Sequence, residues 1–166
     1  MTRPILVAYA TRRESSHEVA EAVAARLREL GHEADVRPAA EVGTLAPYGA
    51  VVIGGALYMG RWHRDARRFL TGHREALAGL AVAVFAMGPR TLEPEDVEGS
   101  RRQLDAALAD VPEVEPVAVT IFGGVVDPTR LHFPLNRMPA SDARDWNAIA
   151  TWADDVASAF EAVPAL

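Results

Sequence analysis

Residues 5–16 read Ile-Leu-Val-Ala-Tyr-Ala-Thr-Arg-Arg-Glu-Ser-Ser, an apolar run that ends in hydroxyl-bearing and charged residues. Apolar side chains then follow at helical spacing, at Val19, Val23 and Leu27. A strand that turns directly into a helix brings backbone N–H groups and the positive end of the helix dipole to one point. The segment therefore predicts a strand, a turn suited to a phosphate group, and a helix.

The alternation of strand and helix continues along the chain. Runs that are apolar throughout, such as 51–53 and 81–85, are typical of central parallel strands covered on both faces. The polar alternation at 34–37 indicates an edge strand instead. This pattern predicts a single α/β domain over residues 1–163 that contains a parallel sheet. The predicted strands lie near 3–9, 33–38, 50–54, 80–86 and 116–122.

Helical spacing predicts three further helices after the first. One covers 61–77 with a break at Gly72, and another covers 94–110. The last helix is expected to start near Ser141 or Asp142. The side chains expected on its buried face are Trp146, Ile149, Ala153, Val156 and Phe160.

Composition excludes several classes of chemistry. The chain has 166 residues, no cysteine and a formal charge of −6, and its 17 basic residues are all arginine. Thiolate metal sites, cysteine nucleophiles, phosphate-loop lysines and Schiff-base lysines are therefore absent. The charge disfavours a nucleic-acid partner, and no apolar run approaches the ~20 residues of a membrane span. No metal site is expected, because the histidines lack ligand spacing; they are His17, His32, His63, His73 and His132.

Four loops are expected at the carboxyl edge of the predicted sheet, where parallel α/β sheets bind ligands. They cover 11–16, 54–62, 87–90 and 122–128. Together with the strands before them, the loops carry a resemblance to the flavodoxin superfamily, in the branch that contains menaquinone-dependent protoporphyrinogen oxidase. The stretches that carry the resemblance are 7–11, 51–60, 84–89, 122–124 and 145–146.

The resemblance implies a flavodoxin-like three-layer fold, with a five-stranded sheet in the order 2-1-3-4-5 and helices on both faces. It also implies an FMN cofactor. The first loop would bind the phosphate, and the ring would lie between the loops after the third and fourth strands. The residues implied in cofactor binding are Thr11, Arg12, Arg13, Glu14, Ser15, Ser16, Ala56, Leu57, Tyr58, Met59, Gly60, Met87, Gly88, Pro89, Gly123 and Gly124.

Two positions depart from the family pattern: Ser16 stands where Thr is usual, and Glu14 stands where a small residue is usual. Its carboxylate would repel a phosphate dianion, and Arg12 and Arg13 would offset that charge. The leading hypothesis is an FMN-dependent oxidoreductase that passes electrons from an organic donor, such as a porphyrinogen, to a quinone or a protein. The alternatives are a flavodoxin-type electron carrier without its own substrate, and a flavin-free binding domain.

The expected partner is a small-molecule or quinone redox partner, which can be anionic. Whether the protein forms a homo-oligomer is left open. The expected location is the cytoplasm, with peripheral attachment to a membrane left open.

A basic cluster beside the second loop either is a solvated helix face or guides an anionic substrate. Tyr58 is expected at the flavin ring, Trp62 in the core, and Asp127 at a turn. The cluster consists of Arg61, His63, Arg64, Arg67 and Arg68.

Overall fold

A parallel sheet forms the centre of the protein. The computed structural model describes residues 3–11, 15–89, 91–126, 137 and 140–163. The five parallel strands are β1 (Ile5–Ala10), β2 (Ala34–Pro38), β3 (Ala50–Tyr58), β5 (Ala81–Met87) and β6 (Ala118–Phe122). Three short strands pair antiparallel: β4 (Arg61–Trp62) with β3, and β7 (Val125–Val126) with β8 (Ser141–Asp142).

The strand order is β2-β1-β3-β5-β6, with β4 attached to the end of β3. Counted by the five parallel strands alone, this is the order 2-1-3-4-5, so the predicted fold class is confirmed. The polar-patterned strand β2 does lie at the edge of the sheet. The register places Ala10 beside Gly55, and Gly55 beside Ala86, so β1, β3 and β5 end at the same edge.

Helices cover both faces of the sheet. On one face, α1 (Ser15–Glu29) and α5 (Trp146–Ala162) pack against Ile5, Val7 and Phe85. A hydrogen bond of 2.6 Å from Arg26 Nε to Asp154 Oδ1 also joins these two helices. The other face is covered by a 3-10 turn (Ala39–Glu41), α2 (Arg64–Gly72), α3 (Arg74–Ala78) and α4 (Pro94–Ala109).

Three predicted boundaries were wrong. The helix expected over 61–77 begins at Arg64, because Arg61 and Trp62 form β4. The third strand continues through Tyr58 instead of ending at residue 54, because β4 supplies an antiparallel partner for its last residues. The last helix starts at Trp146, where the Asp145 carboxylate accepts a hydrogen bond from Ala148 N. Residues 141–142, expected to open that helix, form β8 instead. Trp146, expected in the core, is 45% exposed.

The glycine pair in β3 is explained by packing. A Cβ atom at Gly54 would overlap the ring of Phe85. A Cβ atom at Gly55 would lie 3.1 Å from both Ala66 Cβ and Trp62 Nε1. These glycines therefore let the neighbouring side chains lie directly on the backbone of β3. The sequence reading of Gly54 and Gly55 as part of a ligand loop was wrong for that reason.

We expect Gly54→Ala to lower the free energy of unfolding by about 1–3 kcal/mol, because the added methyl group displaces Phe85 in a fully packed layer. That ring contacts Phe122 and Trp152, at centroid distances of 5.6 and 5.9 Å, so it has little room to move. Urea unfolding measures the change. Gly43→Ala is the matched control, since nothing lies within 4 Å of a Cβ atom there. Equal stability of the two variants would contradict the packing argument.

Candidate functional site

The first loop leaves β1 at Ala10 and leads into α1. Thr11 is half-buried, α1 begins at Ser15, and the predicted loop residues Arg12, Arg13 and Glu14 lie outside the described residues. The side chain of Ser16 is fully buried in the first turn of the helix. Its Oγ atom has no hydrogen-bond partner in the described part of the chain.

The start of α1 is fixed to the end of β1 by an aromatic stack. The rings of Tyr9 and His17 lie 4.4 Å apart at an interplanar angle of 11°. His17 Nε2 also lies 3.2 Å from Glu21 Oε1, one helical turn further along. The first turn of the helix, with its free backbone N–H groups, is therefore held directly beside the carboxyl end of the sheet.

The second loop is a tight hairpin between β3 and β4. Tyr58 pairs with Arg61, and the two turn residues Met59 and Gly60 have positive φ angles of 51° and 80°. Two consecutive residues with positive φ are typical of a type I′ turn. Tyr58 is 40% exposed and Met59 is 77% exposed. The hairpin therefore presents an aromatic ring and a thioether at the carboxyl edge.

Trp62 anchors this hairpin to the core, as predicted. Its ring is buried, and Nε1 donates a hydrogen bond of 3.0 Å to Gly55 O. Arg67 Nε in turn donates a hydrogen bond of 2.9 Å to Trp62 O. His63 Nδ1 accepts a hydrogen bond of 3.0 Å from Asp65 N at the start of α2. Within the predicted basic cluster, Arg67 and His63 therefore have structural roles.

The third and fourth loops are joined by backbone hydrogen bonds. Gly88 N donates to Phe122 O at 3.2 Å, and Gly124 N donates to Pro89 O at 2.9 Å. A Cβ atom at Gly88 would lie 2.6 Å from Leu57 Cδ1, so the end of β3 packs on the same point. The structure thus brings together three of the four predicted loops at 56–60, 87–89 and 123–124. Asp127 lies outside the described residues.

Arg144 was missed by the sequence reading, although it connects the first turn of α1 with β8. Its guanidinium contacts Glu18 Oε2 in α1 at 3.0 Å and Asp142 Oδ2 in β8 at 2.8 Å. It also lies 4.8 Å from the centre of the Trp146 ring. The hydrogen bonds that the Asp142 carboxylate accepts from Arg144 hold the pKa of that carboxyl below its ordinary value, against the opposing effect of burial. The neighbouring carboxylate of Asp142 was the available signal, whereas Glu18 lies 126 positions away in the chain.

The sequence comparison identifies the family. The family model described as Flavodoxin domain matches residues 6–138. The chain belongs to this family. No curated protein matches the chain.

Solved flavodoxins share the fold. A mutant flavodoxin from Pseudomonas aeruginosa superposes with a TM-score of 0.62 at 17% identity, covering 95% of this chain and 99% of that one. Oxidised flavodoxin 1 from Bacillus cereus gives a TM-score of 0.63 at 14% identity, covering 97% and 99%. The rubredoxin oxygen:oxidoreductase of Desulfovibrio gigas gives 0.63 at 14% identity, and the match covers 96% of this chain but 37% of that larger one.

The described residues contain no group of three His, Cys, Asp or Glu side chains that could hold a metal ion. Among the same residues, no helix is long and apolar enough to span a bilayer.

We expect the pKa of Asp142 to lie below the ordinary value of an aspartate side chain and to return toward that value in Arg144→Gln. Because the folded-state pKa is depressed, this contribution to stability is present above the unfolded-state pKa and is lost as the pH falls through the folded-state pKa. NMR titration of the carboxyl carbon measures the shift.

The same variant should lower the free energy of unfolding by about 1 kcal/mol at most near neutral pH, since both carboxylates are largely exposed. Below the folded-state pKa of Asp142 the cost should shrink, because the protonated Asp142 carboxyl loses its attraction to the guanidinium. An equal cost at both pH values would instead indicate that Arg144 acts through packing of its stem.

Proposed function

We propose that this domain binds FMN noncovalently and carries electrons between redox partners. The observation that carries the proposal is the buried, unpartnered Ser16 Oγ at the first turn of α1, in a chain that belongs to the Flavodoxin domain family. FMN supplies the redox chemistry when bound, and the protein supplies its binding, orientation and electrostatic environment.

The Ser16 hydroxyl fits the phosphate of this cofactor. A buried polar group left without a partner costs roughly 1–3 kcal/mol, so native proteins rarely keep one without a reason. A phosphate oxygen at the helix start would accept the hydroxyl hydrogen and also the free N–H groups of the first turn. Thr11, at the end of β1, is the other described hydroxyl residue of this loop.

The remaining loops provide the surroundings expected for a flavin ring. Tyr58 offers an exposed aromatic ring. The backbone hydrogen bonds between the third and fourth loops bring Gly88 and Gly124 close together. A Cβ atom at Gly124 would lie 3.1 Å from Gly88 O, so side chains there would separate the loops. These residues would hold the ring between the hairpin and the glycine loops.

Oxidation of an organic donor is the second candidate function. A cavity of about 610 Å³ begins at Pro89 and continues along the first turns of α4, a size ordinary for small-molecule sites. Glu95 and Asp96 line it, so their carboxylates disfavour an anionic donor such as a porphyrinogen and favour a neutral or cationic one. Catalytic flavin reduction by such a donor, without a protein partner, would support this function over electron carriage.

We expect FMN to bind with a dissociation constant in the micromolar range or tighter, about −8 kcal/mol. Riboflavin should bind at least tenfold more weakly, because it lacks the phosphate. Quenching of flavin fluorescence measures both constants. Absence of FMN binding under native conditions would contradict the proposal, and equal affinity for riboflavin would place the flavin elsewhere than on the α1 turn.

We expect Ser16→Ala to weaken FMN binding by about 10-fold or more, since a hydrogen bond to a charged acceptor contributes roughly 1.5–3 kcal/mol. The stability of the FMN-free protein should stay the same or rise, because the substitution removes an unsatisfied buried hydroxyl. Ser158→Ala, at an exposed position of α5, is the control and should change neither property. A loss of stability equal to the loss of FMN affinity would indicate a purely structural role for Ser16.

A further inference from the structure

Three exposed arginines differ from several other arginines that the structure describes. In the described part of the chain, the guanidinium groups of Arg61, Arg64 and Arg68 have no carboxylate or carbonyl partner. By contrast, several other arginines lie within ion-pair distance of a carboxylate, although the chain carries an excess of acidic residues; they are Arg26, Arg74, Arg101, Arg102 and Arg144.

The three unpaired cations adjoin the exposed hairpin tip. Arg61 pairs directly across from Tyr58, and Arg64 and Arg68 are one helical turn apart at the start of α2. We call Tyr58, Met59, Arg61, Arg64 and Arg68 the hairpin surface. It combines three arginines that have no ion-pair partner among the described residues with an exposed aromatic ring and an exposed thioether, in a protein of net charge −6.

Met59 adds a second, independent observation. Its φ of 51° places a long, unbranched side chain in a conformation that Asn or Gly adopts more easily at this position of a type I′ turn. Packing of the Met59 side chain does not offset this backbone strain, because the residue is 77% exposed. Backbone strain of this kind is concentrated at functional positions. An exposed, flexible thioether is also a common contact at protein-binding surfaces.

We propose that the hairpin surface is the docking site for an acidic redox protein that exchanges electrons with the bound flavin; this inference rests on the proposed function. Charge complementarity selects the partner, because the unpaired arginines would pair with its carboxylates. Met59 and Tyr58 would form the apolar centre of a small contact area, which is typical of transient electron-transfer complexes.

An anionic membrane is less well supported as the occupant. Stable attachment to a bilayer generally needs two strong signals, such as a lipid chain and a polybasic patch. The hairpin surface offers three arginines and a single long apolar side chain, which falls short of that requirement. The transfer itself is balanced, since a reduced iron–sulfur protein loses one electron, the flavin gains it, and no covalent bond forms or breaks.

The first test uses a dithionite-reduced, acidic [2Fe–2S] ferredoxin as the probe and follows flavin reduction by stopped flow. We expect Arg64→Gln/Arg68→Gln to slow the second-order rate about 10-fold at low ionic strength, with the difference disappearing near 1 M salt. The control Arg3→Gln/Arg74→Gln removes the same charge at the opposite edge of the sheet and should have little effect. Equal slowing by the two double variants, or none by the first, would overturn the proposal.

The second test does not depend on the flavin. Oxidised ferredoxin is added to the ¹⁵N-labelled, FMN-free protein, and the amide shifts are expected to change at 58–68. Met59→Asn should weaken this association severalfold while raising the urea midpoint, because Asn suits the turn better. Shift changes elsewhere, or binding to phosphatidylserine vesicles without binding to ferredoxin, would overturn the proposal. If FMN fails to bind but the hairpin shifts appear, the proposed function fails while the docking surface stands.

Discussion

The fold and its site depend on burying a parallel sheet on both faces. Adjacent residues of β1 point to opposite faces, yet Ile5 and Leu6 are both fully buried, and the same holds for Val51 and Val52 in β3. Such strands have no position for a polar side chain that must meet a ligand. Polar and conformationally unusual residues are therefore confined to the edges of the sheet. The register aligns the ends of β1, β3 and β5, which concentrates the first three loops at one place.

The sequence predicts the sheet well for the same physical reason. Continuous apolar runs such as 81–85 leave a strong signal, and the polar alternation of β2 marks its edge position. The antiparallel additions were missed because β4, β7 and β8 have two residues each, too few to show an alternating pattern. Gly54 and Gly55 were assigned to the loop at 54–62, whereas they lie in β3 and admit Phe85 and Trp62 against the strand backbone. A single sequence does not show which neighbour a glycine accommodates.

The sequence predicted where the candidate site residues lie better than it predicted what each side chain does. The hydroxyl residue Ser16 and the hairpin at Tyr58 lie where the strand–helix pattern places them. Within the basic cluster, the sequence could not separate Arg67, which holds Trp62 O, from Arg64 and Arg68, which have no such partner. Arg144 was missed because its two carboxylates come from segments far apart in the chain. Long-range pairing of charged side chains leaves no periodic trace.

The packing of α1 against α5 has a consequence for the order of folding during synthesis. The first helix of the chain is covered by the last one, and the Arg26–Asp154 pair spans 128 positions. Until α5 leaves the ribosome, the side of α1 that packs against α5 and the part of the sheet around β5 and β6 have no cover on that face. The opposite face needs only segments that are made earlier. A nascent chain should therefore complete the α2–α4 side of the sheet first. Until α5 docks, the opposite side exposes apolar surface, to which chaperones bind.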